Sequence, residues 1–316
     1  MIHFENVTKL FNGRPVINAL DLHIERGKIT VLIGPSGSGK STTLKMVNRL
    51  VEHDSGRILF AGEEIRSFQP EELRRRMGYA IQSTGLFPHW TVAQNIATVP
   101  QLLKWDRSRI HARVDELLNM LNLDPELYRN RYPHQLSGGQ QQRIGVARAM
   151  AADPEILLMD EPFGALDPVT RAILQEEIQR IHRLSGKTIL LVTHDIDEAL
   201  SLADHLVLMD KGHVVQQGTP AQILSHPAND FVRDFIGRND LGIKMLSLQT
   251  VGQCMRSSVG SINASEFAIS DEASLKEALS SFVAHGVDAL PVINAAAQPV
   301  GTLHLNDLVI HHDARV

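Results

Sequence analysis

The sequence predicts an α/β fold: a parallel sheet bearing a phosphate-binding loop, followed by a smaller α+β module. Three observations carry that prediction. An apolar, β-branched run, ITVLI at 29–33, leads into a glycine-rich loop and then into a helical pattern. A second apolar run, ILLM at 156–159, ends in Asp160 and Glu161. Runs of this kind belong to strands buried on both faces of a parallel sheet, and the C-terminal ends of such strands face the ligand crevice. Finally, the chain has 316 residues, more than a usual single domain, and its composition changes near Gly237.

The loop at 34–41, GPSGSGKS, fits the G-x-x-x-x-G-K-[ST] pattern of nucleoside triphosphate sites. Gly34, Gly37 and Gly39 let the backbone wrap an anion without Cβ clashes, with Pro35, Ser36 and Ser38 filling the cradle between them. Lys40 places a point charge near the β- and γ-oxygens, and the Ser41 hydroxyl can ligate Mg²⁺. Ser41, Thr42, Leu44, Met46, Val47 and Leu50 continue without glycine or proline, so a helix follows whose N-terminal amides point at the phosphates.

From about 86 to 152 the strand pattern gives way to helices. Ile110, Val114, Leu117, Leu118 and Leu121 recur at helical spacing as one apolar stripe on a charged helix, which is packing and not a cofactor box. LSGGQ at 136–140 then runs into Gln141, Gln142, Arg143 and an alanine-rich helix. A serine with two glycines opening a helix builds a second anion-binding nest. At the end of the later strand, Asp160 would hold Mg²⁺ through water and Glu161 would polarise the attacking water. His194 follows another apolar strand, 189–192, at the same kind of edge. His53, His111, His182 and His205 lack metal-ligand spacing and read as surface residues.

The phosphate loop, LSGGQ, LLMDEP, GALD and VTHD, in this order and spacing, resemble the ATP-binding cassette of ABC proteins over residues 1–237. The resemblance implies a RecA-like core with a helical subdomain at about 86–152. It also implies an ATP and Mg²⁺ site shared head to tail with a second copy of the chain, or with a second cassette chain. In that arrangement Phe11 would stack on adenine, the alternative being an ordinary core aromatic. Gln82 would sense the γ-phosphate and Mg²⁺. Ser137, Gly138, Gly139 and Gln140 would meet the partner's nucleotide, Asp167 would link the two sites, and His194 would steady the γ-phosphate beside Glu161. No motif of the set is degraded.

The segment 83–96 gathers Leu86, Phe87, Pro88 and Trp90, either a docking patch for a membrane subunit or a hydrophobic plug under the loop. Tyr132, Pro133, His134 and Gln135 ahead of LSGGQ resemble the importer-type lead-in. GRPVINALDL, STTLKMVNRL, GYAIQSTGLFPHWTVAQNIATVP and DPVTR are similar to ATPase subunits of quaternary-amine importers for glycine betaine, choline and proline. The resemblance thus implies integral membrane permease subunits and, through them, a solute-binding protein outside the membrane.

After a linker at 238–245, VGQCM, SLKEALSSF, ALPVI and GTLHLNDL resemble a single CBS repeat over 246–312. Such repeats pair, so one per chain implies pairing between protomers. Asp307 stands at the position of the family's ligand-binding carboxylate, but His304 replaces its usual hydroxyl partner. Nucleotide binding, sensing of ionic strength and simple dimerisation all stay open.

Against 31 basic residues stand 36 acidic ones, a net charge of −5, which argues against nucleic acid as a partner. One cysteine, Cys254, excludes an internal disulfide and reads as inert. The N-terminus lacks a signal-peptide core, and no apolar stretch approaches the roughly 20 residues that span a bilayer. The expected location is therefore peripheral, at the cytoplasmic face of the inner membrane.

Overall fold

A computed structural model describes residues 1–81, 85–164, 166–257 and 267–309. The chain divides into two compact units, Met1–Thr219 and Pro220–Val316. The division falls ahead of the composition change near Gly237. Helix 220–225 packs on helix 241–246, so the stretch between them goes with the second unit.

In the first unit, β1 (Ile2–Phe11) and β2 (Arg14–Ile24) form a hairpin. Its two-residue turn is Asn12-Gly13, both at positive φ, the pairing a tight antiparallel turn requires. β3 (Ile29–Ile33) leads through the phosphate loop into α1 (Lys40–Val47). β4 (Ser55–Phe60) and β5 (Glu63–Glu64) return to the hairpin, giving an antiparallel sheet of order β2-β1-β4-β5. α2 (Pro70–Arg75) and β6 (Met77–Ala80) follow. Next come the helices α3 (Val92–Ile96), α4 (Thr98–Leu102), α5 (Arg107–Met120), α6 (Pro125–Tyr128) and α7 (Gly138–Met150). β7 (Ile156–Asp160), α8 (Pro168–Ser185), β8 (Thr188–Val192), α9 (Ile196–Leu202), β9 (His205–Asp210) and β10 (His213–Gly218) complete the unit.

The second sheet has the order β10-β9-β3-β8-β7-β6, parallel throughout except for β10. Every residue of β3, β7 and β8 is buried, as the continuous apolar runs require. α1 contributes Leu44, Met46 and Val47 to one core with Phe4, Ile58 and Phe60 of the antiparallel sheet and Leu158, Val192 and Val207 of the parallel one. Register then sets the site: Leu32 of β3 and Asp160 of β7 both pair with Val192 of β8. Three strands therefore end level, and the segments after them meet at one edge.

Among the helices, the stripe on α5 is realised, with Val114, Leu117 and Leu118 buried in the helix and Leu121 at its C-cap. Burying each contributes about 1.5–3 kcal/mol relative to exposure. His53, read from sequence as a surface residue, is instead buried, and burial holds its pKa below the usual value, with the neighbouring Arg66 charge acting the same way.

The second unit carries α10 (Pro220–Ser225), α11 (Asp230–Ile236), α12 (Leu241–Leu246), α13 (Val251–Cys254), β11 (Ile269–Ser270), α14 (Leu275–His285), β12 (Ala289–Ile293) and β13 (Pro299–His304). SLKEALSSF and ALPVI take the predicted helix and strand. GTLHLNDL takes a strand followed by a short 3₁₀ turn, Leu305–Leu308. α14 starts in a reciprocal Ser274–Glu277 capping box and ends at Gly286 with φ of 64°. Phe282, Leu290, Val292 and Leu303 anchor its core. Burial, with the Asp307 charge, pushes the Cys254 thiol pKa up and keeps it from the reactive thiolate. Among the described residues no helix is long and apolar enough to cross a membrane.

Candidate functional site

The phosphate loop is shaped by glycines that nothing else can replace. Gly34, Gly37 and Gly39 have φ of 145°, 81° and 104°, and a Cβ on Gly34 would lie 2.0 Å from the Met209 carbonyl oxygen. Gly39 is the N-cap of α1, and no side chain caps that helix start. The anion-attracting end of α1 thus opens onto the loop. Lys40 is buried, and its Nζ donates to the carbonyls of Gly34 at 2.7 Å and Pro35 at 2.9 Å. Burial lowers its pKa, opposed by the charges of Glu161 and Asp160.

At the end of β7, Asp160 accepts from Ser41 Oγ at 2.8 Å, across 119 residues of sequence. Lys45 Nζ lies 3.2 Å from its other oxygen. Tyr79, on the neighbouring β6, is pushed up to about 12 by burial and by this carboxylate. Glu161 follows with φ of 48°, a left-handed backbone that a non-glycine residue takes only when its surroundings enforce it. Its N–H donates to the Val192 carbonyl at 2.9 Å. His194 Nδ1 stands 3.4 Å from Glu161 Oε2. Behind it, Thr193 Oγ1 donates to Glu198 Oε2 at 2.5 Å, and Asp195 caps α9. Burial raises the pKa of Glu198.

A cavity of about 260 Å³ joins Ser36, Gly37, Lys40, Ser41 and Thr42 to Glu161. A larger one, about 600 Å³, lies among the helices beside Trp105 and Ile110, without comparable chemistry. The constellation of charges identifies the site, and volume does not.

The residues of LSGGQ do not line this cavity. Ser137 caps α7 through a reciprocal box with Gln140, and Gln140 Nε2 donates to the Tyr128 hydroxyl at 3.1 Å. A Cβ on Gly139 would sit 2.0 Å from Thr170 Cγ2, so a side chain there would require that threonine to move. Gly138 has open space on that side. Asp167 caps α8, accepting from Val169 and Thr170 N–H at 3.1 Å each; the Thr170 hydrogen bonds, side-chain first, lower its pKa. Phe11 is 46% exposed, outside the core, with Lys9 Nζ 5.1 Å from the ring centroid. Gln82 and Ala165 lie outside the described residues.

Three residues at the site carry no sequence signal. Val16, from the start of β2, lines the cavity because the hairpin folds against α1. Lys45 and Tyr79 join Asp160 through sheet order and helix face alone.

The donor set suits Mg²⁺: a hydroxyl and a buried carboxylate, hard oxygens beside the phosphate cradle. No group of three or more His, Cys, Asp or Glu among the described residues could hold a metal by itself. An ion shared between one or two side chains and the phosphates is what these residues fit.

A family model described as "ABC transporter" matches residues 17–164, and one described as "CBS domain" matches residues 251–312. The glycine betaine uptake system ATP-binding protein YehX of Escherichia coli (strain K12) is 64% identical over 310 residues, covering 98% of this chain and 99% of that protein. The glycine betaine/carnitine/choline transport ATP-binding protein OpuCA of Bacillus subtilis (strain 168) is 48% identical over 295 residues, 93% of this chain and 76% of that one. Among solved structures, the dimeric bacterial ABC transporter cassette MJ0796 aligns with TM-score 0.63 and 31% identity over 70% of this chain and 99% of that one. A post-hydrolysis dimer of the same cassette, bound to ADP and Pi, aligns with TM-score 0.62 and 30% identity over the same shares.

Proposed function

The chain belongs to the ABC transporter family of ATP-binding proteins, and from that premise we propose that it is the ATP-hydrolysing subunit of an importer for quaternary-amine osmoprotectants such as glycine betaine or choline. The near end-to-end likeness to uptake subunits of that class carries the substrate reading. The ATPase chemistry has its own support in the cavity that joins Lys40 and Ser41 to Glu161, with Asp160 bonded to the Ser41 hydroxyl beside it.

In this reading the loop amides and Lys40 bind the phosphates, and Phe11, exposed at the turn end of the hairpin, offers a face for adenine. Ser41 and Asp160 would hold Mg²⁺, with Gln82 assigned to the same metal by sequence alone. The ion, when bound, neutralises charge on the phosphate oxygens. Glu161 accepts a proton from the attacking water, and His194, 3.4 Å away, steadies the γ-phosphate beside it. Because LSGGQ stays outside the cavity, the site is completed by Ser137, Gly138, Gly139 and Gln140 of a second copy, with Asp167 between the two sites. A head-to-tail dimer follows, and the dimeric cassette among the structural relatives supports it.

The loop at 85–91 supports a docking role towards a membrane subunit. Buried Asn95 accepts from Phe87 N–H at 2.7 Å and donates to the carbonyls of Phe87 and Trp90, which fixes the loop backbone, and both rings are exposed. The rings pack at 4.6 Å, and Trp90 is 38% exposed, so it does not plug the core. Trp90→Ala is expected to leave ATP affinity unchanged and to weaken co-purification with permease subunits several-fold; unchanged co-purification would remove the docking role. The chain would then sit peripherally on the membrane through that partner.

The substrate reading is tested by reconstituting the chain with its permease and solute-binding protein in liposomes. ATP hydrolysis should rise with glycine betaine or choline. Stimulation by an unrelated solute alone would sink the osmoprotectant class and keep the ATPase.

A further inference from the structure

Ser41 and Lys45 stand four residues apart on α1, and residues so spaced share one helix face. Both reach the same carboxylate. Ser41 Oγ donates to Asp160 Oδ1 at 2.8 Å, while Lys45 Nζ lies 3.2 Å from Oδ2. The Asp160 side chain is only 7% exposed, against 38% for Lys45. Among the described residues Lys45 is the one basic side chain within salt-bridge distance of Asp160. Lys40 has its Nζ on the loop carbonyls instead. Held at one oxygen, a carboxylate swings about its terminal torsion, which is broad and soft. Held at both, from one rigid helix, it has one orientation.

We propose that Lys45 is a positioning residue for the metal side of the site, fixing the Asp160 carboxylate so that it stays on the Ser41 hydroxyl. This rests on the reading of Ser41 and Asp160 as the Mg²⁺ side. Lys45 acts through the Asp160 carboxylate, which its Nζ meets at 3.2 Å. Partners one shell out from a metal typically change its affinity by about 10–100-fold when removed.

The test uses the full chain, ADP and Mn²⁺ as the spectroscopic probe, with bound Mn²⁺ read by electron paramagnetic resonance. Lys45→Met is expected to weaken Mn²⁺ binding by roughly tenfold. Binding of ADP in excess chelator should not change, which also reports that the variant folds. Lys45→Arg, keeping charge and reach, should restore most of the affinity. In an Asp160→Asn background Lys45→Met should have no further effect, since the coupling runs through that carboxylate. If Lys45→Met does not fold, Lys45→Gln carries the same comparison. Unchanged Mn²⁺ affinity in a variant that binds ADP overturns the proposal, as does an effect that persists in full without the Asp160 carboxylate. A wild-type protein that binds ADP but takes up no Mn²⁺ would instead overturn the metal-site reading itself, and this inference with it.

Discussion

Glu161→Gln is expected to lower steady-state ATP hydrolysis by about 10²–10⁴-fold, the range lost when a positioned general base is removed. The amide keeps the size of the side chain and cannot take a proton. Its backbone is held by the N–H donated to Val192 at 2.9 Å, so the loop around it should persist. Binding therefore survives while cleavage fails, and two chains should stay closed on uncleaved ATP. Size-exclusion chromatography with Mg²⁺-ATP should show a dimer that the wild type forms only transiently. A Glu161→Gln protein that turns over normally would remove the residue as base.

Lys40→Ala is expected to abolish measurable ATP binding. Hydrogen bonds to a charged group contribute about 1.5–3 kcal/mol each, so losing two to the phosphates lowers affinity by about 10²–10⁴-fold. A second effect acts before any nucleotide arrives. The carbonyls of Gly34 and Pro35 lose the donor that holds the loop in its curve. Lys40→Arg should fail as well, because a planar guanidinium cannot take the place of a compact ammonium in so buried a position. Fluorescent-nucleotide titration decides it, and an alanine variant binding within a few-fold of wild type would refute the assignment.

Much of the site was legible because its parts are local. Glycines, a lysine and a serine in fixed spacing announce the phosphate loop before any fold is known, and the structure then places those glycines at positive φ. The Ser137–Gln140 and Ser274–Glu277 boxes mark two helix starts within four residues each. The five-residue apolar strands were equally plain. Other features were open or misread. Phe11 allows two roles from sequence until its exposure excludes the core, and His53 reads from sequence as a surface residue although it is buried. Nothing in GTLHLNDL shows that Asp307 would be held by Arg256, 51 residues earlier, with Arg256 Nη2 at 2.6 Å from its Oδ1. That ion pair lowers the carboxyl's pKa from its usual value. The expectation that Asp307 meets a ligand now has a competitor within the chain.

By itself, the sequence determined the strand and helix types, the phosphate loop, the helix start at LSGGQ and the resemblance that joined them. Each of these depends on backbone preferences and periodicities that act over a few residues. Only the tertiary structure decided that Ser41 and Lys45 share Asp160, that Glu161 and His194 stand 3.4 Å apart, and that Asn95 holds the backbone of the Phe87–Trp90 loop. The first two contacts depend on β3, β7 and β8 ending level in one parallel sheet, and that order is set by the packing of segments far apart in the chain, which no local pattern encodes. The third depends on burial of one polar side chain beneath its own loop, where its hydrogen bonds had to be satisfied from within.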